Sequence, residues 1–178
     1  KGIVWAMIER TDIFIDQDEL IKAELLTPKI IDLAKQINDS LGIAVATLQT
    51  AQVKLYGKKV NESLPIFETC INSFFSRHPS KYAALAYNDY GYALGQTGNL
   101  EKEATQLIQA LKIYETVDKE NIQELAITLN NLSTLYYSMN NKEKAIEYGK
   151  RSLQYREKTG DYEKLSLSCC NLSQLYAG

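Results

Sequence analysis

The side chains that could carry out covalent or metal chemistry are few and widely separated in this chain. His78 is the single histidine, and the three cysteines are Cys70, Cys169 and Cys170. A metal site needs paired ligands at close spacing, and a catalytic histidine needs an acidic or nucleophilic partner. Neither arrangement surrounds these residues, and the nucleotide-binding and hydrolase motifs are missing. We therefore expect no enzyme activity, no metal and no cofactor, and we expect the cysteines to be packing residues.

Composition excludes further classes of function. The chain has 178 residues, 45% of them hydrophobic, with 20 Lys and Arg against 22 Asp and Glu. A sequence pI near 5.6 argues against direct nucleic-acid binding, which usually needs a basic face. No apolar run is long enough for membrane insertion. The start lacks Met and the layout of a signal peptide, so we expect a piece of a longer protein. A cytoplasmic location is favoured, and a periplasmic one stays open because a signal could precede this segment.

An internal repeat is the most informative pattern. Segments 87–104, 129–145 and 169–178 share one arrangement. In each segment two large or apolar residues stand three positions apart, and a small residue directly follows the second of them. Another large residue comes three positions after the small one. Steps of three and four mark one face of a helix, and the small residue allows a neighbouring helix to approach closely. The aligned sets are Tyr87/Tyr90/Gly91/Leu94, Leu129/Leu132/Ser133/Tyr136 and Cys169/Leu172/Ser173/Tyr176, with a fainter copy at Leu48/Ala51/Gln52/Leu55.

A polar turn and a second helix follow each copy. Gly98 and Asn140 suit the left-handed backbone that ends a helix, and Asn61, Asn99 and Asn141 suit helix capping. Small residues recur seven apart in the second helices, as in Ser63/Cys70 and Ala145/Ser152, but Glu103 occupies one small position. The repeat-equivalent residues Ala23, Ser63, Glu103 and Ala145 are separated by 40, 40 and 42 positions.

This spacing predicts nine helices in four pairs plus one leftover helix. The predicted helices span 2–15, 19–37, 41–56, 61–76, 81–96, 100–117, 121–138, 142–158 and 162–176. Pro28 falls inside the second of these, where it would kink or split the helix. Alternatively, Thr27 could cap a new helix that starts at Pro28.

The repeats resemble the tetratricopeptide family, most clearly in GNLEKEATQLIQAL (98–111) and NNKEKAIEYGKRSL (140–153). Their length of 40–42 residues is similar to that of the longer subclass, found in kinesin light chains and in bacterial signalling proteins. The resemblance implies a right-handed α-solenoid of antiparallel helix pairs over 1–178, with repeats at about 1–40, 41–80, 81–120 and 121–161 and a leftover helix at 162–178. It further implies a scaffold for protein or peptide partners, expected to be the sensing or docking segment of a larger bacterial signalling protein.

In that family the first helices of the pairs line a concave groove. The residues at groove-facing positions here include Gln49, Tyr56, Asn88, Asp89, Tyr92, Asn130, Asn131, Thr134, Tyr137, Asn171 and Gln174. Asn and Gln can pair with the backbone of a bound peptide, and Tyr adds contact area. The alternatives are that these amides tie neighbouring helices together or face water. The carboxylate-clamp subtype grips its ligand with Lys and Arg in the groove. It is not expected here, because the corresponding positions hold apolar residues, namely Ala46, Leu85, Ile127 and Leu167.

Two other features leave alternatives open. The basic stretch 149–158 is expected to be solvated helix surface, with phosphate binding as the other interpretation. The apolar first helix carries Trp5, Ile8 and Phe14 and would need a covering neighbour. Homo-oligomerisation through this helix and 162–176 is therefore the alternative function.

Overall fold

Eight α-helices follow one another in a computed structural model that describes residues 1–159. The helices are α1 (Gly2–Asp16), α2 (Leu20–Gln36), α3 (Ser40–Tyr56), α4 (Val60–Cys70), α5 (Lys81–Gln96), α6 (Leu100–Thr116), α7 (Ile122–Ser138) and α8 (Lys142–Thr159). The described residues contain no strand. Each helix packs against the next in sequence, and the odd-numbered helices also contact one another. The result is an α-solenoid of helix pairs, as predicted. The expected ninth helix at 162–176 lies outside the described residues.

Short turns with a left-handed residue join the helices at five equivalent places. Gly98 has a φ of 80° and Asn140 a φ of 58°, which confirms their predicted role. Asp18, Asn38 and Lys58 adopt the same conformation. Asp and Asn tolerate it because their short polar side chains can hydrogen-bond locally. These turns reverse the chain between antiparallel neighbours and so fix the pitch of the solenoid.

Capping side chains set the starts of several helices. Asn99 accepts a hydrogen bond from the Lys102 amide at 3.4 Å, and Asn141 accepts one from the Lys144 amide at 3.1 Å, as predicted. Asn61 was wrongly assigned as a cap. Helix α4 begins at Val60 with Lys59 before it and without a side-chain cap, so Asn61 already lies inside the first turn.

Two helices depart from the predicted course. Helix α2 runs unbroken from Leu20 to Gln36 with Pro28 inside it, so neither a split nor a new start at Thr27 occurs. Pro28 and Glu24, the residue whose carbonyl loses its donor, are both exposed, and water can satisfy that carbonyl. Helix α4 passes at Cys70 into a π-helical turn, Ile71–Phe75, where one continuous α-helix was expected.

Close helix contacts at the small repeat positions hold the pairs together. A Cβ on Gly91 would lie 3.1 Å from Cγ of Leu107, so α5 and α6 touch at van der Waals distance. The Ser133 hydroxyl donates to the Ala145 carbonyl at 2.7 Å and joins α7 to α8. The Ser152 hydroxyl donates to the Ala126 carbonyl at 2.8 Å. The repeat pattern therefore identifies the positions where one helix backbone approaches another. Within the described range no helix is long and apolar enough to cross a membrane.

Candidate functional site

A groove of about 720 Å³ lies on the face formed by the four odd-numbered helices. We call it the central groove. Its lining residues are Asp12, Ile15, Asp16, Asp18, Val45, Leu48, Gln49, Gln52, Tyr56, Tyr82, Leu85, Asn88, Asp89, Glu124 and Ile127. All four first helices contribute because side chains at steps of three and four project to one face. Leu85 and Ile127, two positions that a carboxylate clamp would make basic, are part of this lining.

The amide groups predicted to face the groove largely tie neighbouring helices together. Gln49 is fully buried, and its Nε2 donates to the Ile8 carbonyl at 2.9 Å and to Oδ1 of Asp12 at 2.6 Å. Asn88 is 6% exposed, and its Oδ1 accepts hydrogen bonds from Thr128 Oγ1 at 3.2 Å and Asn131 Nδ2 at 3.4 Å. These bonds give Gln49, Asn88 and Asn131 the inter-helix role that the sequence had left open.

One acceptor remains unused inside this network. Gln49 Oε1 is buried and has no hydrogen-bond partner. Because Nε2 of the same amide is committed to α1, the amide cannot simply turn over to satisfy it. Buried polar atoms without partners are uncommon in folded proteins and often mark a ligand or water position.

The central groove is strongly acidic. Among the residues that the structure describes, its lining includes Asp12, Asp16, Asp18, Asp89 and Glu124 and no Lys, Arg or His. Burial, with a smaller contribution from the Glu124 charge, raises the pKa of the Asp89 carboxyl to about 7 against the hydrogen bonds from Gln52 and Asn88. The first of these bonds joins Gln52 Nε2 to Asp89 Oδ2 at 2.8 Å. Charged ligands of negative sign are therefore disfavoured here, and cations are favoured.

Burial and neighbouring charges also raise the pKa values of two other groups in the groove lining. The pKa of Asp12 is raised chiefly by burial, against the hydrogen bond from Gln49 and the charge of Lys81. The pKa of the Tyr56 hydroxyl is raised strongly, first by the negative charge of Asp89 and then by burial. Tyr56 thus remains a neutral hydroxyl at the groove wall.

A second, smaller cavity of about 290 Å³ lies between α5 and α7. We call it the side pocket. It collects three predicted residues, Tyr92, Asn131 and Thr134, and adds Gly95, Gln96, Leu100, Glu103, Leu135 and Ser138. Burial raises the pKa of Glu103 to about 7. The side pocket therefore holds a second carboxyl that is poorly solvated.

Three tyrosines expose large parts of their rings on the odd-numbered helices. Tyr56, Tyr92 and Tyr137 are 43%, 49% and 47% exposed. Asn130 is half-buried and Thr134 is exposed. Asn171 and Gln174 lie outside the described residues. Peptide binding by the predicted set stays a prediction, and the side chains free to contact a partner are mainly the tyrosines, Asn130 and Thr134.

Sequence reasoning placed Asp89 at the groove but missed the other acidic residues of its lining. Asp12 and Asp16 belong to α1, Asp18 to the turn after it and Glu124 to α7, and together they form no motif along the chain. Overlaying all first helices and counting charge at groove-facing positions would have been the usable signal.

The remaining expectations concern Cys70, His78 and the basic stretch. Cys70 is buried, and burial raises the pKa of its thiol to about 12, which suits a packing residue. His78 stacks on Phe74 with ring centroids 4.1 Å apart. Arg151 pairs with Glu115 across α8 and α6. Arg156 is only 8% exposed, so the basic stretch is not uniformly solvated surface as expected. Among the described residues no cluster of His, Cys, Asp or Glu could hold a metal ion.

Comparison with known proteins now identifies the repeats. Residues 82–158 match the model of the tetratricopeptide repeat. This part of the chain carries tetratricopeptide repeats. Regulatory protein RapD of Bacillus subtilis (strain 168) is 30% identical over 138 residues, which are 76% of this chain. The matched part spans 38% of RapD.

Solved structures share the fold over nearly the whole chain. BtubC (BKLC) from P. vanneervenii aligns with a TM-score of 0.87 and 22% identity over 98% of this chain and 73% of that chain. The STAND protein PH0952 from Pyrococcus horikoshii, with its tetratricopeptide repeat sensor, aligns with a TM-score of 0.76 and 19% identity over 98% of this chain and 27% of that chain. The predicted right-handed solenoid of helix pairs is confirmed. Tetratricopeptide repeats are generally non-catalytic scaffolds for protein interaction.

Proposed function

We propose that the concave face of this chain binds an extended peptide segment of a partner protein. The observation that carries this proposal is the central groove, about 720 Å³ in volume and lined from all four odd-numbered helices. A channel of this kind can follow an extended backbone across several repeats, as repeat proteins commonly do. Of the proposed contacts, Tyr56 lines the central groove, Tyr92 and Thr134 line the side pocket, and Asn130 and Tyr137 lie on α7 outside both. The tyrosines would supply side-chain packing, and Asn130 and Thr134 would supply hydrogen bonds.

We place the chain in a larger regulatory protein as its docking or sensing part. RapD is a regulatory protein, and PH0952 uses its tetratricopeptide repeats as a sensor. Those roles belong to the relatives and support this proposal by similarity. Homo-oligomerisation remains a prediction that the comparisons do not favour. Within residues 1–159 its structural support is apolar exposure on α1 and α2, where Ile3, Ile21 and Leu25 are 73%, 77% and 63% exposed.

A peptide selection experiment tests whether the concave face binds a peptide. Random peptides displayed on phage are selected on the immobilised chain, and the affinity of each recovered peptide is measured by fluorescence anisotropy. Tyr137→Ala and Tyr92→Ala are expected to weaken binding about tenfold or more, as for exposed aromatic anchors in other interfaces. Asn131→Ala is expected to weaken it less, because Asn131 also bonds Asn88.

Ile108→Ala is the matched control. Ile108 is 40% exposed on α6 and lines neither the central groove nor the side pocket. The affinity of the Ile108→Ala variant for the same peptides is expected to equal that of the parent. Unchanged affinity in both tyrosine variants, with folding intact by circular dichroism, would contradict the proposed peptide contacts on α5 and α7.

A further inference from the structure

The side pocket contains a carboxylate that the rest of the described chain does not neutralise. Glu103 belongs to α6, and its carboxylate packs on the backbone of α5 at Gly95, where a Cβ would otherwise stand. Among the described residues this carboxylate accepts no hydrogen bond and forms no ion pair. The pocket lining within that range includes no Lys, Arg or His, and the neighbouring charges on α6, Glu101 and Lys102, do not line it. Burial has therefore removed part of the water around Glu103 without supplying a replacement.

Two helix carboxyl ends lie at the same pocket. Gly95 and Gln96 are the last residues of α5, and Leu135 and Ser138 belong to the last turn of α7. The carboxyl end of a helix carries about half a negative charge, and neither last turn contains a basic residue to balance it. The amino end of α6, which carries Glu103, contributes about half a positive charge. Together with the carboxylate, the three helix ends leave the side pocket negative.

The hydroxyl groups of the side pocket can act only as acceptors toward a ligand. The Thr134 hydroxyl donates to the Asn130 carbonyl at 3.1 Å, and the Ser138 hydroxyl donates to the Thr134 carbonyl at 3.1 Å. Each hydroxyl has a single proton, so its oxygen has only lone pairs left to offer. Nδ2 of Asn131 is likewise engaged by Asn88. A complementary ligand must therefore bring N–H donors together with a positive charge.

The remaining lining fits the stem of one long side chain. Leu100 and Leu135 supply apolar surface, and Tyr92 lines the pocket with 49% of its surface exposed. A methylene stem can pack on the leucines, and a cation can lie over the tyrosine ring. The volume of about 290 Å³ is less than half that of the central groove, which suits a single side chain rather than a length of backbone. A small inorganic cation would leave the leucine and tyrosine surfaces uncovered.

We propose that the side pocket receives a basic side chain, Lys or Arg, of the partner segment, with its cationic head on Glu103 and its stem against Leu100, Leu135 and Tyr92. This inference rests on the proposed peptide-binding function and specifies the chemistry of one residue of the peptide. Both side chains bring a positive charge and several N–H donors on an apolar stem. The hydroxyl oxygens of Thr134 and Ser138 supply further acceptors beside the carboxylate.

The first test uses the peptides selected on phage and the whole chain. We expect recovered peptides to contain Lys or Arg. Replacement of that residue by norleucine or citrulline, which keeps its length and removes its charge, should weaken binding about tenfold. Glu103→Gln should cause a similar loss with the basic peptide and no loss with its neutral form. Glu101→Gln is the matched control, because Glu101 is exposed on the same helix and does not line the pocket, and this variant should bind like the parent.

The second test needs no variant of the protein. Carbon NMR follows the Glu103 carboxyl of the isotopically labelled chain while the N-acetylated amide of lysine, arginine or norleucine is added. The lysine and arginine probes should shift this resonance saturably and lower the pKa of Glu103 from about 7, because a bound cation favours the ionised carboxylate. The tighter of these two probes identifies the preferred side chain. The neutral norleucine probe, and sodium chloride at equal ionic strength, should produce no saturable shift.

The outcomes separate this inference from the proposed function. Peptides that bind equally well after their basic residues are replaced, or that bind parent and Glu103→Gln alike, would overturn the basic-side-chain site while leaving peptide binding in place. A selection that recovers no peptide would overturn the proposed function, and the NMR titration would still decide on the side pocket. Basic probes that leave the Glu103 resonance unmoved, or a norleucine probe that moves it equally, would refute the site in either case.

Discussion

Replacement of Asp89 by Asn is expected to stabilise the folded chain. Asp89 is 5% exposed, and its pKa is raised from 3.8 in a free side chain to about 7. A shift of about three pH units, at about 1.4 kcal/mol per unit, corresponds to a free-energy cost of about 4 kcal/mol for keeping the carboxylate ionised in the fold. Asn has nearly the same shape and retains an oxygen for the hydrogen bond from Gln52.

The sign of the pH dependence follows from the raised pKa. Between the unfolded and the folded value the native chain binds more protons at Asp89 than the unfolded chain does. The contribution of Asp89 to stability is therefore largest at low pH and is lost as pH rises to about 7. We expect Asp89→Asn to exceed the parent by about 2–4 kcal/mol at about pH 8, and this advantage to shrink by about 1.4 kcal/mol per pH unit below about pH 7.

Urea titrations followed by circular dichroism provide the measurement. Free energies of unfolding are compared for the parent, Asp89→Asn and Asp32→Asn at several pH values from about 4 to about 8. Asp32 is exposed on α2, so its variant should follow the parent within about 0.5 kcal/mol throughout. A variant less stable than the parent at about pH 8, or a difference independent of pH, would show that Asp89 is not a desolvated carboxylate.

A second outcome follows from the close contact between α5 and α6. Gly91→Ala should lower the free energy of unfolding by about 1–2 kcal/mol, since the new Cβ would lie 3.1 Å from Cγ of buried Leu107, whereas Gly2→Ala meets no atom within 4 Å and should be neutral in the same urea assay.

The repeat pattern made most of the fold predictable. Helix faces, turns and close helix contacts depend on residue types at fixed spacing, so Gly91, Gly98 and Asn140 could be assigned from the sequence alone. The course of the chain around Pro28 could not, because a proline on an exposed helix face loses one hydrogen bond that water replaces. The π-helical turn after Cys70 likewise has no local signature in the sequence.

The candidate site was predictable in position but not in chemistry. Sequence spacing placed Tyr56, Tyr92 and Tyr137 on one face, and all three are exposed there. It could not show that the Gln49 and Asn88 amides would be consumed by bonds between helices, because these bonds depend on partners 41 and 40 residues away. Nor could it sum the charge of carboxylates from four separate segments. Pairwise distances between helices decide both properties, and a single sequence does not contain them.

Glu103 occupies a repeat position where a small residue is expected. Gly95 makes room for its side chain because glycine has no Cβ at the point of contact. The Glu103 carboxylate occupies the place where a Cβ on Gly95 would stand, and burial raises its pKa to about 7. In a protein that already carries Glu103→Ala, the further change Gly95→Ala should therefore stabilise α5 by about 1 kcal/mol, because alanine has the higher helix propensity. In the parent the same change must first displace the carboxylate into solvent, so its gain should be smaller and the pKa of Glu103 should fall toward its ordinary value. Urea titrations of the four proteins give the coupling free energy, and carbon NMR gives the pKa. An equal effect of Gly95→Ala with and without Glu103→Ala would mean that the two positions are independent. The presence of Glu103 where the repeat expects a small residue would then need another explanation.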